Sequence, residues 1–378
     1  MWGKRRASAY FIVTGLTSLV GNLGRLPLVF LIVAIAGTQA IGQERKAVWV
    51  SATKPELGVN VVRDDGRVVS YWDVTGVKGP RVIPGLENIV ATTARLALRQ
   101  DGVVLTWNPK CGRNPDDPED VEHEFCEFPP ARPVGRLRNI VAISEDSNGC
   151  YLALDRDGAV FGWGDDSNGL ISGRPAVPQP FGKPFKRRLV RTPTRIPLPV
   201  PMSSISADVS HVGTVDRDGH IWMWGGGEFF PDVQAAGEDY SGPNDFVARR
   251  VGGIPPAQSI DSTYVITRAG EVWRWGISRV NGVRGSVIPG RVAGLANAVA
   301  LSDIGFFTAI MDRDGIVLFI GIAPDKENHG KFIDEPHATK LMPRAKFISA
   351  GARITKEGDV LFFSRIRAGI VQRLELGD

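Results

Sequence analysis

Histidine and cysteine, which most often carry catalysis and metal binding, are scarce in this chain. Its 378 residues include three cysteines and five histidines, and the histidines are scattered: His123, His211, His220, His329 and His337. No nucleophile elbow of the Gly-x-Ser-x-Gly type and no phosphate-binding Gly-Lys-Ser/Thr loop occurs. The sequence therefore predicts a protein that is not an enzyme and has no cofactor. His211 lies at the start of a predicted strand and is expected to be structural.

The cysteines give no metal site, because the spacing of Cys111, His123 and Cys126 matches no standard zinc pattern. Cys111 and Cys126 bracket an acidic stretch and are a candidate disulfide. Such a bridge would close about 15 residues and stabilise the fold by roughly 3 kcal/mol in the chain-entropy model. Cys150 precedes a predicted core strand, so we expect a buried thiol there.

A positive charge excess is absent from most of the chain. The formal net charge is +4, but residues 1–43 contain four cations and no acid. The remaining residues carry 41 Lys and Arg against 41 Asp and Glu. Nucleic-acid binding needs a strongly basic face, so no nucleic-acid partner is expected.

The long apolar stretch of the chain lies at its N-terminus. Lys4, Arg5 and Arg6 precede an uncharged region, and Arg25 precedes the apolar run Leu26 to Ala36. This arrangement is typical of a secretory signal peptide, cleaved near Ala36 or Ala40. The alternative is an uncleaved membrane anchor over residues 26–43, long enough to span a bilayer. Either interpretation predicts export, to the periplasm, the medium or the outer face of the inner membrane, with residues 44–378 as the exported domain.

Seven copies of one short pattern, each built around a turn glycine, occupy that domain. The glycines are separated by 36, 56, 61, 51, 45 and 43 residues and are Gly66, Gly102, Gly158, Gly219, Gly270, Gly315 and Gly358. Two positions after each glycine is Val or Ile, and three positions after it is a bulky apolar residue. Five positions after it, six copies have an aromatic residue and the seventh has Ile320. A repeat of this period predicts a solenoid, an array or a propeller.

Each copy is predicted to be a β-hairpin. In one copy the apolar stretch Tyr151 to Leu154 leads into Asp155-Arg-Asp-Gly158, and strand-forming residues follow to Trp163. Further apolar runs lie upstream of the hairpins, as in Gly290 to Ser302 before Gly315, so we expect three or four strands per copy. Because one such blade buries too little apolar surface to be stable alone, the fold class predicted is all-β, a seven-bladed β-propeller preceded by the leader.

The repeats resemble those of the regulator of chromosome condensation family, which builds seven-bladed propellers. Tyr151 to Gly164, Val215 to Gly225 and Thr267 to Gly276 resemble them most, each ending in Trp-Gly. The outer copies depart from this pattern, with Asn108 after Trp107 and Phe362-Phe363-Ser364 in the last copy. The family includes exchange factors for a small nuclear GTPase and a secreted bacterial inhibitor of β-lactamases. The residues of exchange activity do not map onto this chain.

Three long insertions are the candidate binding loops. The first, between Asn108 and Val134, is acidic and includes Asp116, Asp117, Glu119 and Asp120. The second, between Arg174 and Arg195, has no acid and includes Lys183, Lys186, Arg187, Arg188 and Arg191. The third, between Gly225 and Pro243, is Gly-rich and carries Phe229 and Phe230. Loops this long in a compact repeat are functional or disordered.

Taken together, the sequence predicts an exported, non-enzymatic scaffold that binds a protein partner through rim loops. The alternatives are a regulator of a GTPase resembling an exchange factor, and an envelope carbohydrate-binding module that uses exposed aromatic residues. Contact with a membrane is expected only through residues 26–43, if the leader is retained. We also expect Ile370 to Leu376 to add to the first blade near Val48 to Val50 and so clasp the ring.

Overall fold

The computed structural model of the chain describes residues 45–52, 58–71, 80–108, 110–113, 124–174, 177, 186–208, 210–225, 245–275, 279–280, 283–284, 288–303, 307–322, 332–338, 344–349, 352–364, 370–374 and 376. The chain divides into two compact units, Met1–Gln43 and Glu44–Asp378. The predicted leader lies outside the described residues. Within them, no helix is long and apolar enough to cross a membrane.

The second unit consists of seven four-stranded antiparallel blades, which confirms the predicted all-β propeller. Blade 1 contains β1 (Ala47–Ala52), β2 (Val59–Arg63), β3 (Val68–Tyr71) and β4 (Arg81–Val82). Blade 2 contains β5 (Ile89–Thr92), β6 (Leu96–Arg99), β7 (Val104–Thr106) and β10 (Arg132–Pro133), with the hairpin of β8 (Lys110–Arg113) and β9 (Glu124–Glu127) inserted. Blade 3 contains β11 (Ile140–Glu145), β12 (Cys150–Asp155), β13 (Val160–Asp165) and β14 (Leu189–Arg195).

The remaining blades repeat this arrangement. Blade 4 contains β15 (Met202–Ala207), β16 (His211–Asp216), β17 (Ile221–Gly225) and β18 (Asp245–Val251). Blade 5 contains β19 (Ala257–Asp261), β20 (Tyr264–Thr267), β21 (Val272–Arg274) and β24 (Gly290–Arg291), with the hairpin of β22 (Arg279–Val280) and β23 (Val283–Arg284) inserted. Blade 6 contains β25 (Ala298–Asp303), β26 (Phe307–Asp312), β27 (Val317–Ile322) and β28 (Phe332–Ala338). Blade 7 contains β29 (Ala345–Ser349), β30 (Ala352–Thr355), β31 (Val360–Ser364) and β32 (Ile370–Leu374).

The first strand of each blade lies nearest the centre of the ring. First strands of neighbouring blades contact each other, as β15 does with β11 and β19, and β1 does with β29 and β5. Each first strand pairs with its second strand through a β-bulge at its second residue. A bulge bends a strand and increases its twist. The blade boundaries differ from the sequence copies, because Gly290–Arg291 closes blade 5 whereas Ala298 opens blade 6.

The turn glycines join each blade to the next. Each glycine carbonyl accepts a hydrogen bond from the first backbone N–H of the following first strand. The N–H donors, at 2.8 to 3.1 Å, belong to Ile89, Ile140, Met202, Ala257, Ala298, Ala345 and Ala47. At Gly158 the backbone φ is 91°, and an added Cβ would lie 2.6 Å from the Cβ of Pro201. Glycine is therefore required there by both conformation and space.

The ring closes without the predicted clasp. The segment Ile370–Leu374 is β32, which pairs with β31 as the fourth strand of blade 7 and does not join blade 1. The expectation was wrong because a short apolar strand has the same pattern at the inner and outer positions of a blade. Closure instead depends on the hydrogen bond from Ala47 N–H to the Gly358 carbonyl and on an apolar cluster shared by blades 1 and 7.

The repeat aromatics form the contacts between blades. Tyr71, Trp107, Trp163, Trp224 and Trp275 are all at least nine-tenths buried, as is Ile320, which replaces an aromatic in blade 6. The indole Nε1 of Trp224 donates to the Leu170 carbonyl at 2.8 Å, so this buried polar atom is satisfied. The aromatic pattern that identified the repeat is thus a packing pattern.

Candidate functional site

All the long insertions attach to one face of the ring. In an antiparallel blade the first and third strands run toward the same face, where the loops after them must lie. We call this the loop face, and the opposite side, which carries the Asp-Gly turns, the turn face. The third strands end at Tyr71, Thr106, Asp165, Gly225, Arg274, Ile322 and Ser364. The acidic, basic and Gly-rich insertions therefore all start from the loop face, although they belong to three different blades.

Several predicted binding residues lie outside the described residues. They are Asp116, Asp117, Glu119, Asp120, Lys183, Phe229 and Phe230. The described part of the basic insertion contains Lys186 and Arg187, both exposed, and half-buried Arg188. Arg191 is exposed on β14, the outer strand of blade 3. The structure thus brings four of the predicted cations together at the rim of blade 3.

Arg188 is held by the propeller itself. Its Nε donates to the Asp166 carboxylate at 2.8 Å and to the Asp166 carbonyl at 3.0 Å, and its Nη2 donates to the Arg174 carbonyl. The Asp166 side chain is fully buried and also accepts from the backbone N–H groups of Ile171 and Ser172. Arg188 therefore anchors the basic segment. Lys186 and Arg187 are exposed beside it, and the Arg187 guanidinium lies 3.6 Å from the buried Asp165 carboxylate.

A ring of polar side chains lies at the loop-face end of the first strands. It occupies the fifth position counted from the start of each first strand, and each member is buried or half-buried. We call these residues the girdle: Ser51, Thr93, Ser144, Ser206, Asp261, Ser302 and Ser349. Six members carry a hydroxyl and one carries a carboxylate. The sequence analysis did not find this pattern.

Girdle side chains link neighbouring blades. Between blades 1 and 2, the Ser51 hydroxyl bonds to the Thr92 hydroxyl at 2.8 Å. Between blades 2 and 3, the Thr93 hydroxyl donates to the Glu145 carboxylate at 2.6 Å. Between blades 3 and 4, the Ala207 N–H donates to the Ser144 hydroxyl at 2.9 Å. These bonds satisfy polar groups at the seams and fix the blades relative to one another.

The girdle continues through blade 5 by means of its one carboxylate. The Ser206 hydroxyl of blade 4 donates to one oxygen of Asp261 at 3.0 Å. The Asp303 N–H of blade 6 donates to the other oxygen at 3.0 Å. One side chain therefore connects three consecutive blades.

Two carboxyls in this region titrate near neutral pH. Burial, and to a smaller extent the neighbouring Asp303 carboxylate, raises the pKa of Asp261 to about 7. Burial also raises the pKa of Glu145 to about 7, against the lowering effect of its bonds from Thr93 and the Arg95 N–H. Strongly shifted carboxyls are enriched at functional sites, although structural networks produce them too.

Two further residues with reactive or titratable side chains, Cys150 and His211, are buried among the described residues. Cys150 is a free, buried thiol, as expected, and burial raises its pKa, as do the carboxylates of Asp146, Asp166 and Asp165. Because the thiolate is the reactive form, this cysteine is a poor nucleophile. His211 begins β16 and is buried, as expected, and burial lowers its pKa. The environment therefore keeps its imidazole neutral.

Three side chains of a kind that can bind a metal ion lie together on the turn face: Asp216, Asp218 and His220. One possible ligand atom from each lies within 4.8 Å of the other two. The Asp216 carboxylate already accepts from the backbone N–H groups of Asp218 and His220 and from the Trp222 indole. It also lies 3.1 Å from Nδ1 of His220. These contacts are those of a well-satisfied hairpin turn, and they leave the carboxylate little capacity to bind a metal ion.

Comparison with known proteins identifies relatives of the propeller. No protein-family model matches the chain. The mouse (Mus musculus) protein named Regulator of chromosome condensation is 24% identical over 351 residues, which cover 82% of this chain and 80% of that protein. Yeast RCC1 (Prp20), solved bound to Kap60, aligns with a TM-score of 0.59 at 14% identity over 87% of this chain and 80% of its own. Human WBSCR16 aligns with a TM-score of 0.56 at 13% identity, and the alignment covers 82% of this chain and 86% of WBSCR16. The two solved structures support the fold.

Proposed function

Because the chain is a seven-bladed propeller of regulator of chromosome condensation repeats, we propose that it is an exported scaffold that binds a protein partner on its loop face. The observation that carries this proposal is topological. Insertions of opposite charge from blades 2 and 3, and the Gly-rich insertion of blade 4, all start from one face. Loops presented together by a rigid scaffold are the usual design of a binding surface.

Within the described part of the rim, protein binding fits better than carbohydrate binding does. The exposed large apolar side chains of the described residues are aliphatic, and no Trp, Tyr or Phe is among them. A sugar-binding face would need exposed aromatic rings, whereas Lys186 and Arg187 offer charge to a partner. A protein of this fold, yeast RCC1 (Prp20), was solved bound to Kap60, which supports a protein as the class of partner. Export rests on the basic and apolar leader of residues 1–43.

The test is affinity capture of the full chain, tagged at its C-terminus, from the source cell at low and moderate salt. We expect one salt-sensitive protein, and its recovery should fall at least about ten-fold in the Lys186→Glu/Arg191→Glu variant. A ten-fold fall corresponds to a loss of about 1.4 kcal/mol of binding free energy. Arg187 and Arg188 are left unchanged because their loss would break the contacts with the buried carboxylates of Asp165 and Asp166. Mass spectrometry of the captured chain also reports whether it starts near Ala36 or Ala40, as a cleaved leader requires.

The matched control is Arg136→Glu/Arg313→Glu. Both arginines are exposed on the turn face, so this variant has the same charge change at the opposite side of the ring. Equal loss of the captured protein in both variants would indicate net charge rather than the loop face. Recovery unaffected by either variant would remove the basic segment from the binding surface.

A further inference from the structure

A buried arginine that has no counter-ion among the described residues lies in the seam between blades 6 and 7. Arg353 is the second residue of β30 and is 4% exposed. It pairs with Ile348 on one side and Leu361 on the other, so the three side chains share one face of blade 7. Ile348 packs in a cluster with Met311 and Phe319 of blade 6. The guanidinium therefore lies on the apolar side of blade 7 that faces blade 6.

Two nitrogens of this guanidinium lack an acceptor among the described residues. Nε and Nη1 of Arg353 are both shielded from solvent and form no hydrogen bond within the part of the chain that the structure describes. Burial lowers the pKa of Arg353 to about 10, and no charge on a described residue contributes to this change. Arg63 shows how this chain treats another buried arginine: its Nη1 donates to the Leu376 carbonyl and its Nη2 to the Asp65 carboxylate. Arg353 has neither kind of contact.

The repeat does not require a charge at this position. Arg353 lies five residues before its turn glycine, where the other six blades have five apolar residues and a threonine: Val61, Ala97, Ala153, Thr214, Val265 and Ile310. An unpaired charge away from water is strongly unfavourable, and a buried cation is normally paired with an anion. A hydrophobic residue would satisfy the fold at a lower cost.

We propose that the seam between blades 6 and 7 binds a small anion on Arg353. The ligand class is a halide or a small oxyanion, such as a simple carboxylate, that can accept hydrogen bonds from Nε and Nη1. Guanidinium is well suited to this task, since it remains charged when buried and presents several N–H donors in one plane. The anion would sit between two blades, so its binding would hold that seam closed.

The test follows thermal unfolding of the full chain in chloride, acetate, formate and sulfate at constant ionic strength. For at least one anion we expect a saturable rise in Tm of about 2–5 °C, because a ligand that binds only the native state stabilises it by mass action. Arg353→Met keeps similar length and removes the charge. It is expected to lose the saturable response and, in dilute buffer, to unfold at or above the temperature of the wild type.

Controls distinguish binding at the seam from general salt effects. Arg344→Met, on the exposed rim of blade 7, is expected to keep the wild-type anion response. An equal response in all three proteins, or none in the wild type, would overturn the proposal. Should Arg353→Met fail to fold, calorimetric titration of the wild type with the most effective anion decides the question: one site per chain supports it, and no saturable heat refutes it.

Discussion

Asp261 is the residue whose protonation most directly affects the contacts between blades. Its folded pKa of about 7 lies above the ordinary value of 3.8, so the folded state binds a proton more tightly than the unfolded chain. The stability that this proton provides is complete below about pH 4 and is lost as the pH rises through about 7. Asp261→Asn imitates the protonated form, because Nδ2 can donate to the Ser206 hydroxyl while the oxygen still accepts from the Asp303 N–H.

We expect Asp261→Asn to be closest to the wild type near pH 4 and to become more stable than it as the pH rises to about 8. The difference between the folded pKa of about 7 and the ordinary value of 3.8 sets an upper limit of about 4 kcal/mol on this gain. Thermal unfolding at both pH values measures it, with Asp157→Asn, an exposed carboxylate on the turn face, as the control expected to follow the wild type. Part of the pH dependence should remain, since the pKa of Glu145 is also raised. If the stability of the wild type and of Asp261→Asn changed equally with pH, the raised pKa of Asp261 would be refuted.

Gly158 is a turn glycine at which the neighbouring blade leaves no room for a side chain. An alanine there would need a φ of 91° and would place its Cβ 2.8 Å from the backbone N of Met202. Gly253 has a similar φ of 79° but has nothing within 4 Å of an added Cβ. Both alanine variants lose about 1–2 kcal/mol to backbone strain. Gly158→Ala should lose about 1–3 kcal/mol more through overpacking, measured as the unfolding free energy in urea. Equal losses would show that the contact across the seam is not tight.

At the scale of the elements, the hairpin of β8 and β9 places Cys111 opposite Cys126. Opposed residues of an antiparallel pair have Cα atoms about 4.5–5.5 Å apart, within the range of about 4.4–6.8 Å that a disulfide allows. In an exported protein we therefore expect this bridge to form across the hairpin.

Thiol labelling of the chain isolated from its source cell measures the bridge. Under denaturing conditions without reductant, we expect one labelled cysteine, Cys150, and three after reduction. In Cys150→Ser the unreduced chain should label at no position. Three labelled cysteines before reduction would show that Cys111 and Cys126 are thiols.

The hairpins were predictable from the sequence, whereas the girdle and the blade boundaries were not. Each turn glycine lies within a few residues of both strands it joins, so the pattern around it has constant spacing. The girdle residue lies nine residues before the turn glycine in blade 2, at Thr93, but fifteen before it in blade 1, at Ser51. The loop between the first two strands varies in length, so an alignment anchored on the turns loses the register of the first strands. Aligning the copies on those strands would have shown the repeated hydroxyls.

At the scale of the whole molecule, the seven copies were sufficient to predict a closed ring, because stacked blades bury their apolar faces only against each other. The position of the last strand could not be predicted. Ile370–Leu374 would pair equally well by pattern with either edge of a sheet, and only packing places it beside β31. Leu374 and Leu376 then join the core cluster between blades 1 and 7.

At the seam between blades 7 and 1, a turn-glycine carbonyl accepts a hydrogen bond from the first N–H of the next blade, as it does at the other six seams. The break in the covalent chain therefore coincides with an ordinary junction rather than a specialised lock. Circular permutants that join residues near 376 to residues near 45 and open the chain at another turn-face connection should keep all seven junctions. We therefore expect that the blade at which the chain begins can be changed without changing the order of the blades around the ring.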